Sequence, residues 1–250
     1  MPVIALQGIR GGVGTTSVTA GLAWALYALG ESVLVIDFSP DNLLRLHFNM
    51  PHENPRGWAR AEIDGEGWNQ GAMQYCDTLA FLPFGQVTPS ERQALYSRHL
   101  QAPAHWQYNL AQLNLSRRHA DNPFRWILLD IPAGDGPLTQ QLLATSDHAI
   151  LLLTPDANCH ARLHQQTLPA GSHLLINQFS PASQLQHDLN QLWNQTLHGV
   201  IPVVIHRDEA MAESMAMKQP VGEYRPDCMT AEEITTLANW CLIHCSDAVS

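Results

Sequence analysis

Lysine is almost missing from this chain. Lys218 is the single one in 250 residues, and charged residues of all kinds make up only 14% of the sequence. Basic residues are fewer than acidic ones, 13 against 23, for a formal charge of −10 at pH 7. That balance argues against direct binding to nucleic acid or to an anionic membrane surface, because both need clustered cations. Arg117-Arg118 is the only adjacent basic pair. Scarce charge with 45% hydrophobic residues also argues against disorder and supplies enough apolar surface for a substantial core. The five cysteines (Cys76, Cys159, Cys228, Cys241, Cys245) contain no Cys-x-x-Cys pair, and their odd count suits reduced thiols better than a disulfide framework. No apolar run approaches the ~20 residues of a membrane-spanning helix. Residues 1–7 lack the basic start of a signal peptide, so the expected location is cytoplasmic.

What is present is a series of short, continuous apolar runs: residues 3–6, 33–36, 79–82, 126–129, 148–153, 173–176 and 200–205. Unbroken rather than alternating hydrophobicity predicts strands buried on both faces, as in a parallel sheet. Helical patterns separate them at 18–29, 103–119, 138–144, 182–196 and 231–244. The expected fold class is α/β, a doubly wound, mostly parallel sheet flanked by helices, forming a single domain over 1–245 with a frayed tail at 246–250. Residues 51–75, with Trp58, Trp68 and four glycines, are expected to form short helices or a surface excursion. In such a sheet, functional residues gather at the carboxyl ends of strands, where Asp37, Asp130 and Asn177 fall.

The segment between the first strand and the first helix carries the strongest chemical signal. It reads Gln7-Gly-Ile-Arg10-Gly11-Gly12-Val13-Gly14-Thr15-Thr16-Ser17. Glycines there let backbone N–H groups turn toward an anion, and the following helix N-terminus adds partial positive charge. Phosphate-binding loops end in Gly-Lys-Ser/Thr, the lysine reaching the outer phosphates and the hydroxyl holding magnesium. Here Thr15 stands in the lysine position and Thr16 keeps the hydroxyl. An ammonium ~4 Å from a phosphate oxygen contributes up to ~4 kcal/mol at an effective dielectric of ~20, so its loss matters. Arg10 is the nearest replacement cation. Asp130 is placed for the magnesium shell, and Asp37 to orient or deprotonate an attacking water.

Taken together, these motifs resemble the MinD/ParA ATPases. Arg10-Gly-Gly-Val-Gly-Thr-Thr16 is similar to their phosphate loop, Lys-Gly-Gly-x-Gly-Lys-Ser/Thr. Asp37-Phe-Ser39-Pro40 is similar to switch I, and Asp130-Ile-Pro-Ala-Gly134 to switch II. The resemblance implies ATP and Mg2+ as cofactors, with Gly11, Gly12, Val13, Gly14, Thr15, Thr16 and Ser17 around the phosphates. It places Asn177 at the adenine, Pro202 and Arg207 in the loop closing over the base, Thr16, Asp37 and Asp130 at the metal, and Asp37 and Arg10 in catalytic roles. It further implies a homodimer closed across two nucleotides. Three departures stand out: Thr15 for the gripping lysine, Arg10 for the signature lysine that reaches the opposite subunit's nucleotide, and Ser39 for the second switch I aspartate. The expected outcome is firm ATP binding with weak or absent hydrolysis.

Residues 41–46, 156–166 and 205–213 further resemble a branch of the family that serves cellulose secretion in enteric bacteria. That closer resemblance implies a cytosolic accessory subunit recruited to an inner-membrane cellulose synthase, touching the membrane only through other accessory subunits. A DNA-partitioning ATPase and a partner-activated cycling ATPase are the alternatives; the acidic balance counts against the first. Smaller signals carry less. His160 and His164 lie one helical turn apart without an evident third ligand. Cys241 and Cys245 read as small buried apolar residues. The segment 231–244 has an apolar stripe but follows the last basic residue, Arg225, so it is expected to pack on the sheet rather than lie on a membrane.

Overall fold

The computed structural model describes residues 1–116 and 124–246. Both the Arg117-Arg118 pair and residues 247–250 of the expected tail lie outside that range. In chain order the elements are β1 (Val3–Gly8), α1 (Thr15–Ala28), β2 (Val33–Asp37), α2 (Leu44–His47), α3 (Trp58–Asp64), a 3-10 turn (Trp68–Gly71), β3 (Met73–Cys76), β4 (Leu79–Leu82), α4 (Pro89–Gln101), α5 (His105–Ser116), β5 (Trp126–Ile131), α6 (Pro137–Thr145), β6 (His148–Leu153), α7 (Ala157–Gln165), β7 (His173–Phe179), α8 (Gln184–Thr196), β8 (Val200–His206), α9 (Glu209–Ala216), α10 (Val221–Tyr224) and α11 (Met229–His244).

The strands form one sheet in the order β3-β4-β2-β5-β1-β6-β7-β8. Every pairing is parallel except β3 with β4. The apolar runs feed two cores because successive side chains point to opposite faces. Val33 and Val35 of β2 join the core that also holds Leu22 and Leu26 of α1 and Ile234 and Leu237 of α11. Leu34 and Ile36 join the opposite core with Trp58, Leu95 and Trp106. β1 lies between β5 and β6, so the chain departs from it in both directions and leaves a crevice at its carboxyl end.

Seven of the eight strands coincide with the apolar runs. β3 was not expected; its Met-Gln-Tyr-Cys sequence is half-polar because it is an edge strand with one wet face. The helix expected over 103–119 is α5 (His105–Ser116), with 117–119 outside the described residues, and a further helix, α4 (Pro89–Gln101), precedes it where none was expected. α4 is set by a capping box in which Thr88 Oγ1 accepts from the Glu91 amide and the Glu91 carboxylate accepts from the Thr88 amide at 2.7 Å, with Pro89 in the first turn. α5 then begins at His105. Residues 51–75 do form short helices, yet this segment is no excursion: Trp58 is fully buried and its indole N–H donates to the Asp37 carbonyl at 2.7 Å. That bond ties the segment to the end of β2.

Candidate functional site: a phosphate cradle over a buried acidic pair

The β1–α1 connection forms the floor of a cleft of about 580 Å³, a size that suits a small-molecule ligand. Gly12 and Gly14 take left-handed φ values of 79° and 86°, conformations that L side chains rarely adopt. A β-carbon on Gly8 would lie 2.5 Å from Val13 and 2.7 Å from the Arg10 carbonyl, so the loop closes on itself only with glycine there. Helix α1 starts after Gly14 with no capping side chain and no acid in its first turn. Its leading N–H groups therefore have no side-chain acceptor from the protein, which is the condition for an anion to take that place.

Below the cradle, Asp37 and Asp130 are register partners at the carboxyl ends of neighbouring strands β2 and β5. Both are buried. Asp37 accepts the amides of Ser39 at 2.8 Å and Leu44 at 3.3 Å. Burial first, then the charge of Asp130, hold its carboxyl well above the usual carboxylate range. Burial likewise pushes the Asp130 carboxyl up to about 7, against a hydrogen bond from Thr16. Asp130 Oδ2 is buried with no hydrogen-bond partner. Two adjacent buried acids, one with an orphaned oxygen, are costly unless a cation joins them. The donors on hand, the Thr16 hydroxyl and two carboxylates, are hard oxygens of the kind that suit Mg2+ beside a phosphate. The residues present fit that ion.

Not every expected residue occupies the expected role. Arg10 lines the cleft, but its guanidinium is committed within its own chain: it pairs with Asp156 at 2.5 Å and donates to the Gly11 carbonyl at 2.8 Å. Asp156 is also the N-cap of α7 and accepts the Cys159 amide. Asn177 holds the loop, its Nδ2 donating to the Val13 carbonyl at 2.7 Å, and Gln178 donates to the Gly12 carbonyl at 3.1 Å. Asn177, Gln178 and Arg207 line a second groove of about 350 Å³ that adjoins the cradle at Gly14 and Ser17. Pro202 is not brought to it. It sits exposed in the middle of edge strand β8, four residues before the strand's end at His206, about 13 Å at the ordinary strand rise. Lys218 is exposed beyond α9 and lines neither cavity.

Three contributors escaped the sequence reading. Gln7 donates to the carbonyls of Pro132 at 3.1 Å and Gly134 at 2.7 Å, tethering the loop after Asp130 to the strand under the cradle. A buried glutamine interrupting an apolar strand was the available signal. His47 lines the cleft, and its ring nitrogen lies 3.4 Å from the Ser17 hydroxyl. Burial brings its pKa down to about 4, so it is neutral at physiological pH. Met215 reaches both cavities from α9. His160 is engaged by the Trp193 indole at 3.1 Å, so the His160–His164 pair packs α7 on α8.

A parallel sheet with a glycine cradle at its central switch point, and an acid pair beneath the loop, defines the P-loop NTPase fold of MinD/ParA type. Solved structures agree on the fold. The MinC:MinD cell division protein complex of Aquifex aeolicus aligns with a TM-score of 0.76 at 16% identity, covering 100% of this chain and 98% of that one. Cobyrinic acid a,c-diamide synthase of Mycobacterium smegmatis with bound ATP analog and magnesium aligns with a TM-score of 0.74 at 18% identity, covering 98% and 95%. Within that class, residues 1–242 match the family profile of the cellulose biosynthesis protein BcsQ. The BcsQ of Salmonella typhimurium is 53% identical over 246 residues, 98% of this chain and 95% of the relative. The chain belongs to the BcsQ family. Among the described residues no helix is long and apolar enough to cross a membrane.

Proposed function

We propose that this protein is an ATP- and Mg2+-binding switch that dimerises across its nucleotides, hydrolyses ATP slowly or not at all, and serves as an accessory subunit of a cellulose synthase assembly. One observation carries the nucleotide reading: the buried Asp37–Asp130 pair with its orphaned Asp130 Oδ2, set directly beneath an uncapped helix N-terminus. Thr16, Asp37 and Asp130 would hold the metal, and the metal supplies charge neutralisation for the phosphates. The backbone of Gly11, Gly12, Val13 and Gly14 with the first turn of α1 binds the phosphates, with Ser17 at the base side. The second groove, through Asn177, Gln178 and Arg207, offers the base its polar edge. The bound ATP analog and magnesium in a protein of the same fold support this arrangement.

Slow turnover follows from the cations. With Thr15 in place of lysine, Arg10 is the one basic side chain lining the cleft among the described residues, and Asp156 holds it. The cellulose assignment rests on the family's name, and dimerisation on the switch motifs and Arg10. The deciding experiment measures mass by light scattering with and without Mg2+-ATP, alongside phosphate release. We expect a doubling of mass and release far below one turnover per minute. A monomer that stays monomeric at saturating nucleotide removes the dimer switch, and brisk release removes the scaffold reading. A pull-down of cellulose synthase subunits by the wild type but not by Asp130→Ala tests the partner assignment.

A further inference from the structure

At the opposite end of the sheet, three ligating side chains converge from three separate elements. His148 opens β6, His173 opens β7, and Cys245 caps the end of α11. Their ligand atoms all lie within 4.8 Å of one another. The strands are parallel neighbours, with Ile150 opposite His173, and the two imidazoles stand 6.0 Å apart at a 30° tilt. Cys245 is buried, and the Trp240 ring, 4.9 Å from His173, covers one side. No hydrogen bond or carboxylate among the described residues engages the His148 or His173 ring. Two imidazoles and a thiol thus face a common point: neither ring carries a hydrogen bond among the described residues, and the Cys245 sulfur has the neighbouring Cys241 thiol as its hydrogen-bond donor.

We propose that His148, His173 and Cys245 bind a late first-row divalent ion, with Zn2+ the best match. Two neutral imidazoles and one thiolate are borderline-soft donors that zinc takes in tetrahedral sites, leaving one position for water. The donors have the opposite character to the all-oxygen set beneath the cradle, so the two sites select different metals. Strand length separates the sites by about 20 Å. The other mixed cluster, Glu62–His99–His105, lacks this openness. Glu62 already accepts from His99 at 2.9 Å and His105 at 2.7 Å, and Asn109 lies 3.0 Å from His105. A bound ion would pin the end of α11 to the amino-terminal ends of β6 and β7. Because α11 packs on α1, it would brace the helix that carries the cradle.

The test uses tag-free full-length protein, reduced and stripped of metal, titrated with Zn2+ by calorimetry and with Co2+ by absorption. We expect one Zn2+ per chain with a dissociation constant below ~1 µM, weakened at least ~10-fold in His148→Ala and in His173→Ala. The Co2+ form should show a near-ultraviolet sulfur-to-cobalt band that disappears in Cys245→Ser and survives in Cys241→Ser and His99→Ala. Absence of stoichiometric binding overturns the proposal. So does a cobalt band indifferent to Cys245, or lost in His99→Ala, which would route the ion to the other cluster. If Cys245→Ser fails to fold, the half-buried His148 position still decides the question, since its alanine variant removes a ligand without opening the core.

Discussion

Two clusters of largely shielded carboxylates in this molecule meet opposite fates. Glu62 lies between α3, α4 and α5, with each oxygen taken by a histidine. Burial alone would raise its pKa, but the hydrogen bonds from His105 and His99 win and hold the carboxyl at about 2. Asp37 and Asp130 are buried more deeply than Glu62, and among the described residues no cationic side chain pairs with either. Their carboxyls are held above the ordinary range. The first cluster spends its charge on the fold. The second keeps its charge available, at a cost to the ligand-free protein. A buried acid is thus informative about function when its partners are missing, not when it is merely buried.

That contrast can be broken by mutation. Glu62→Ala leaves His99 and His105 without their common acceptor in a buried site, a change costing about 3–4 kcal/mol. Denaturant unfolding should show that loss, while nucleotide affinity stays within about twofold of wild type if the clusters are energetically separate. His99 also lines a small groove against Pro40 and Pro132, so a large fall in affinity would show that the helical cluster reaches the switch loops. Asp130→Asn should behave in reverse. Mg2+-dependent nucleotide binding falls about 100-fold, about 2.7 kcal/mol, while the ligand-free protein gains on the order of 2 kcal/mol because a buried charge is gone. A variant that binds Mg2+-ATP normally, or melts lower than wild type without ligand, contradicts the reading of the acid pair.

The two clusters also predict opposite pH behaviour. Glu62 titrates near 2 in the folded protein, below its ordinary 4.5. Its contribution is complete above about 4.5 and is lost as the pH falls toward 2. Asp130 titrates near 7 against an ordinary 3.8. Its contribution to the ligand-free fold is complete below about 3.8 and is lost as the pH rises through 7. The stability difference between Asp130→Asn and wild type should therefore grow from pH 4 to 7 and level off above. The difference between wild type and Glu62→Gln should shrink as the pH drops below about 4.5. Melting curves at half-unit steps check both. Saturating Mg2+-nucleotide should flatten the Asp130 limb and leave the Glu62 limb in place.

The site was unevenly legible in the sequence. Asp37 and Asp130 were visible because each ends an apolar run, and the parallel sheet then forces them side by side. The cradle was visible because glycine spacing encodes backbone conformation locally. The Glu62 cluster was not, because its residues come from three helices, and only tertiary packing shows that their polar ends meet. α4 was missed although Thr88-Pro-Ser-Glu91 spells its capping box; the following helix is polar, and hydrophobic period outweighed the cap signal. Arg10 and Asn177 were read as ligand contacts; what the reading did not foresee is that Arg10 also pairs with Asp156 and that Asn177 Nδ2 also donates to the Val13 carbonyl. Sequence position places a residue near a ligand but does not say which of its hydrogen bonds the protein has already used.

The smallest expected effect concerns the other side of the cleft. On the proposed reading, the acid pair keeps the metal half of a nucleotide site, while Thr15 stands where the phosphate half's ammonium would be. Thr15 is the first residue of α1, and its Oγ1 faces Gly8 rather than an acid. A lysine there has no carboxylate within the loop to divert it, and its stem can follow the cleft toward the outer phosphates. Thr15→Lys should tighten ATP about tenfold, about 1.4 kcal/mol, since much of the direct attraction is offset by desolvation. ADP, lacking the γ-phosphate, should gain less. Calorimetry with both nucleotides reads the difference. If Thr15→Lys leaves the affinity for ATP and ADP unchanged, the cradle already receives its positive charge from elsewhere. Asp156→Ala, which frees Arg10, then identifies the source: affinity that rises on Arg10's release assigns the missing cation to that arginine.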